Sequence, residues 1–130
     1  MTLTKDEARK IADIFLEAAQ AVDKYLDNNF NNITRDEYEF LYENFKTLIR
    51  GATSATTVAV GLAINDMEEP AQKITGVIKK AKSKIETLDK VGSVICIASG
   101  LADLAAGIIA KDPGAIISSI KNLDTVISNS

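Results

Sequence analysis

Apolar residues recur along most of this chain at alternating intervals of three and four, the spacing that gathers side chains on one face of an α-helix. Ala8, Ile11, Phe15, Ala18, Val22 and Tyr25 form the first such seam, widened by Ile14 and Leu26. A second runs through Tyr38, Leu41, Phe45, Leu48, Ala52, Ala55, Ala59 and Leu62, and a third through Ala71, Ile74, Ile78, Ala81, Ile85 and Leu88. The third register carries on arithmetically through Gly92, Ile95, Ser99, Ala102, Ala106 and Ile109, and Ile116, Ile120, Leu123 and Ile127 make a last inner face. No stretch pairs period-two alternation with turn chemistry, so strands are not expected.

Helix boundaries follow from the residues between the seams. Thr4 with Glu7, and Thr34 with Glu37, are each spaced as a capping box, in which hydroxyl and carboxylate satisfy each other's backbone amides. Ile33 is placed to staple onto Tyr38. The Asn-rich run 27–32 stops the first helix because Asn competes for backbone hydrogen bonds and tolerates left-handed conformations. Asp112 is a side-chain cap ahead of Pro113, whose fixed φ suits a first helical position. These signals predict helices over about 5–28, 35–65, 69–90, 92–110 and 113–127. Two junctions are ambiguous. Gly51 opens a charge-free, small-residue stretch where a kink competes with a continuous helix. The other is at 91–92, where a break gives segments of about 20 residues in place of one helix about 60 Å long.

The expected fold is all-α: a single-domain antiparallel bundle of four to six helices over residues 1–130. Its centre is the apolar hairpin 91–120, turned at Lys111-Asp112-Pro113-Gly114. Composition agrees with helices packed through small and aliphatic side chains. Of the residues 46% are hydrophobic, only 5% are aromatic and none is Trp. At 130 residues one core is sufficient.

Charge and candidate chemistry narrow function mostly by exclusion. A net charge of −3 gives no reason to expect a nucleic-acid partner. The helix over 69–90 is lysine-rich and would find acids among residues 1–50, where ten acids face seven bases. That is a pairing preference, and a solvated lysine face outweighs a membrane-surface reading of it. The chain has no His, which removes the commonest general base and metal ligand, and no glycine-rich phosphate motif or calcium loop is present. Catalytic, cofactor and metal residues are therefore not assigned, and no cofactor is expected. The one cysteine, Cys96, cannot form an intrachain disulfide. With an N-terminus lacking a signal-type apolar run, it points to a reducing, cytoplasmic setting.

Within 91–120, Cys96 sits between Ile95 and Ile97 and is expected to be a buried, inert thiol. Asp103 is a lone acid in an apolar segment and should face solvent or a hydrogen-bond partner, because an unpaired buried carboxylate is costly. Gly92, Cys96, Ser99, Gly100, Asp103 and Gly107 form a small and polar stripe, the candidate interface or hairpin face. The function expected is non-catalytic, through protein–protein contacts and with itself as partner, because 91–120 together with 52–64 offers a surplus of apolar helix. The alternative is a membrane-active, toxin-like protein that releases the same hairpin into a bilayer. An enzyme using only carboxylates and lysines ranks third.

Overall fold

The computed structural model describes residues 5–55 and 71–130. Among them are five helices and no strand: α1 (Lys5–Asn28), α2 (Arg35–Ser54), α3 (Ala71–Thr87), α4 (Val91–Ile109) and α5 (Pro113–Ser128). Local chemistry sets several of their ends. The Thr34 capping box forms in full, with the Glu37 amide donating to Thr34 Oγ1 at 3.1 Å and the Thr34 amide to Glu37 Oε1 at 2.8 Å. Asp112 caps α5 by accepting from the Ala115 amide at 3.2 Å. The end of α4 is a Schellman turn, with the Asp112 amide reaching Gly107 O at 3.0 Å and the Lys111 amide reaching Ile108 O at 3.1 Å. It requires a left-handed residue, and that residue is Lys111, at φ 56°. The capping box at Thr4 and the start of the third predicted helix at 69 lie outside the described residues.

Both ambiguous junctions resolve as ends. α2 does not run to 65 as one helix. It carries Gly51 within it and stops at Ser54, where Ala55 leaves helical space at φ −76°, ψ 71°. The local cause is low propensity around Gly51, Thr53 and Ser54, with the Thr53 hydroxyl donating back to Ile49 O at 3.0 Å. Ala59 and Leu62 of the predicted seam lie outside the described residues. The long-helix alternative for residues 70–110 is also excluded: 88–90 are non-helical, and α4 begins at Val91 behind an extended Lys90 that makes no side-chain cap.

Helix α1 packs on α2 and α3, and α4 packs on the same two, so these four close a ring in which α1 and α4 lie across the diagonal. α5 lies outside the ring against α4 and α3. One continuous apolar cluster fills the interior, with Ile11, Phe15, Leu26, Leu41, Leu48, Ile74, Ile78, Ile85, Ile97, Leu101, Leu104 and Ile108 fully enclosed. The seams of α1 and α3 are those expected from spacing. In α2 the buried residues are Leu41, Asn44, Leu48 and Gly51, while Tyr38, Phe45 and Ala52 of the expected seam only flank the core.

The largest departure is in α4. Of the face continuing from α3 only Ala102 is buried; Gly92, Ala106 and Ile109 are exposed, and Ile95 and Ser99 are half-buried. The core face is instead Val94, Ile97, Ala98, Leu101, Leu104, Ala105 and Ile108. Three non-helical residues reset the rotation of the helix, and α4 is apolar enough around its circumference that periodicity alone does not select a face. The hairpin is also less exclusive a core than expected. α4 buries ten residues, but so does α1, and α5 buries only Ile116, Ser119, Ile120 and Leu123.

Glycine lets helices approach at three points. A Cβ on Gly51 would stand 2.8 Å from Ala105 Cβ, one on Gly100 2.8 Å from Leu123 Cδ2, and one on Gly107 3.1 Å from Ile116 Cγ1. α2 thus meets α4, and α4 meets α5, nearly backbone to side chain.

Candidate functional site

The expected stripe on α4 divides. Gly100 and Gly107 are buried against α5, whereas Gly92, Cys96 and Asp103 are exposed and Ser99 is half-buried. Asp103 therefore meets solvent, as the cost of burying it requires. Cys96 departs from expectation. It is exposed, in an open groove of about 500 Å³ with Lys90, Gly92, Ser93, Val126, Asn129 and Ser130. Its apolar sequence neighbours are poor guides, because each helical step of about 100° turns adjacent residues to different faces. Ile97 faces the core and Cys96 does not.

A smaller cleft of about 310 Å³ lies between the ends of α1 and α3, lined by Lys24, Tyr25, Asn28, Ile85 and Asp89 among others. Burial, followed by the negative charges of Glu37 and Asp89, raises the Tyr25 phenol above its ordinary value of 10.0. The phenol therefore stays protonated at physiological pH. Lys82 of α3 meets Glu17 of α1 at 3.2 Å, which is the kind of basic-to-acidic pairing the sequence favours. Half in solvent, such a pair contributes under about 1 kcal/mol. Among the described residues no three His, Cys, Asp or Glu side chains gather as a metal set.

The most distinctive surface lies on α2, along the edge where the expected seam put Tyr38 and Phe45 but not Tyr42. Tyr38, Tyr42 and Phe45, at intervals of four and three, share one edge of the helix. Tyr38 and Tyr42 stack at 6.4 Å between ring centroids and Tyr42 and Phe45 at 5.9 Å, both 18° from coplanar. Phe30, from the loop before α2, closes edge-on against Tyr38 at 5.7 Å and 86°. Lys46 Nζ stands 5.1 Å from the Tyr42 ring centroid, a cation–π contact. The row straddles the edge of the core, with Tyr38 and Phe45 partly buried against it. Phe30 is 64% exposed and Tyr42 43%, and Phe40, elsewhere on the helix surface, is 45% exposed.

No protein-family model, curated protein or solved structure matches this chain. The site must be read from its own chemistry.

A visible signal for it was present in the sequence. Five of the chain's seven aromatic residues, Phe30, Tyr38, Phe40, Tyr42 and Phe45, fall within 16 consecutive positions. The buried core is mostly aliphatic and takes only Phe15 and Tyr25 of the other aromatics, so that concentration departs from what packing requires. Aromatic side chains that carry large area on few rotatable bonds are enriched where proteins meet. Half-exposed rings already stacked on one another have lost much of their freedom before any partner arrives.

Proposed function

We propose that this protein is a non-catalytic helical bundle that acts through protein–protein contacts and associates with itself. The observation that carries this reading is the row Phe30, Tyr38, Tyr42 and Phe45, ordered by ring contacts, in which Phe30 and Tyr42 stand open to solvent while Tyr38 and Phe45 anchor the row against the core. Of the apolar surplus expected in 91–120 and 52–64, half of α4 is buried in the bundle and residues 56–64 lie outside the described residues, while aromatic side chains stand exposed on α2. Sedimentation velocity from about 1 to 200 µM tests the reading, and a monomer across that range refutes it.

A second, membrane-active reading rests on α4, 19 residues long with a mean hydropathy of 1.8 over an 18-residue window, long and apolar enough to cross a bilayer. Half of that stretch is buried in the bundle, so insertion would have to break the core. Flotation with anionic vesicles at neutral and acidic pH separates the two readings. Failure to bind under both conditions eliminates insertion.

A further inference from the structure

We infer that the partner of the α2 edge is α2 of a second copy, laid antiparallel across a two-fold axis that passes between Tyr42 and Phe45. This rests on the self-association proposed above and adds which surface carries it and in which orientation.

The charges flanking the aromatic row supply the direction. The first half of α2 holds Asp36, Glu37, Glu39 and Glu43, and the second holds Lys46 and Arg50. Arg35 is the exception in the first half, and its guanidinium is already met by Glu39 at 3.0 Å. Two such helices side by side and parallel would set acids on acids. Antiparallel, with the two-fold near the middle of the row, Tyr42 stands opposite the partner's Phe45 and Tyr38 opposite the partner's Ile49. Glu39 then comes within a helical turn of the partner's Lys46 and Arg50, and Glu43 within a turn of the partner's Lys46. In an antiparallel two-fold pair the same flank of each helix meets its equivalent, so one flank must hold both signs, divided between its ends. Residues 39 to 50 have that division. The surface is its own complement, which is why a second copy is the occupant in preference to an unlike protein.

The Glu43–Lys46 pair at 2.7 Å and the Arg35–Glu39 pair would become mixed-charge clusters across the axis. Tyr42, already under the Lys46 ammonium, would be sandwiched between that cation and the partner's ring. Twenty residues of one helix give an edge about 30 Å long, and at a helix width of about 10 Å that is roughly 300 Å² per partner, below the roughly 800 Å² of a standard stable interface. The dimer is therefore weak and reversible, with a dissociation constant in the micromolar range.

The test is sedimentation equilibrium of the full chain, with circular dichroism to show that each variant keeps its helices. Tyr42→Ser removes an exposed ring and is expected to raise the dissociation constant at least about tenfold. Lys46→Glu and Glu39→Lys should each weaken the dimer, and the double variant should return to within about threefold of the parent, because antiparallel pairing places 39 near the partner's 46. A parent that dimerises with the same constant as Tyr42→Ser overturns this surface while leaving self-association standing. A double reversal no better than either single change overturns the antiparallel orientation. A parent that stays monomeric to about 200 µM overturns both this inference and the function on which it rests.

Discussion

Gly51 and Gly76 both lie inside helices, and the structure gives opposite signs for replacing them with alanine. In each case alanine recovers about 1 kcal/mol of helix propensity. At Gly76 in α3 nothing lies within 4 Å of the new methyl group, so Gly76→Ala should stabilise the protein by about that amount. At Gly51 the methyl would arrive 2.8 Å from Ala105 Cβ and 3.5 Å from Ala105 Cα. Alanine has no rotamer to change, so relief requires α2 and α4 to separate by most of an ångström. Overpacking of this kind costs about 1–3 kcal/mol. Gly51→Ala should therefore be net destabilising by about 1 kcal/mol, leaving a gap of about 2 kcal/mol between the two variants. Urea unfolding followed by circular dichroism reads this as midpoints displaced in opposite directions at constant slope. Ala105→Gly in the Gly51→Ala background returns the missing space, and the double-mutant cycle should show favourable coupling of about 2 kcal/mol. Gly51→Ala matching Gly76→Ala in sign and size, or a cycle with no coupling, would refute the close approach of α2 and α4.

Three further outcomes follow from single groups. Asn44 is 8% exposed on the inner face of α2 and its side-chain Nδ2 has no hydrogen-bond partner, so Asn44→Leu should raise unfolding free energy by about 1–2 kcal/mol. A lowered urea midpoint would mean that the amide is satisfied in solution. Lys111 occupies the left-handed position of the Schellman turn, where a side chain is strained, and Lys111→Gly should raise the thermal midpoint by the equivalent of about 0.5–1 kcal/mol. Tyr25 governs part of the alkaline response. Its phenol is held above 10.0 in the folded chain by burial and then by Glu37 and Asp89, so the unfolded chain releases the proton first and stability falls as pH rises through 10. Tyr25→Phe should lose less stability than the parent between about pH 9 and about pH 11, and equal losses would contradict the raised phenol.

Local chemistry made much of the architecture legible before any tertiary contact was known. Thr34 with Glu37, and Asp112 ahead of Pro113, act through partners three residues away, so the information needed to place those ends lies inside one turn. The seams of α1 and α3 were equally readable, since each has one apolar face and one charged face. The candidate site was half-legible. The clustering of aromatics between Phe30 and Phe45 is a property of the sequence, but their exposure depends on where α1 and α4 press against α2.

By itself, then, the sequence determined the all-α class, the identity of four of the five described helices to within a few residues, and the exposure of Asp103. Only the tertiary structure decided which way α4 turns, that Cys96 lies outside and Gly107 inside, and that Phe40 and Tyr42 of α2 stand in solvent while Tyr38 and Phe45 settle against the core. The physical reason is the same in each case. A helix apolar on all sides, or aromatic on its flank, has several faces of similar transfer free energy, and the choice among them falls to steric fit. Here the fit lies at Gly51 on Ala105, Gly100 on Leu123 and Gly107 on Ile116, pairs 54, 23 and 9 residues apart in sequence.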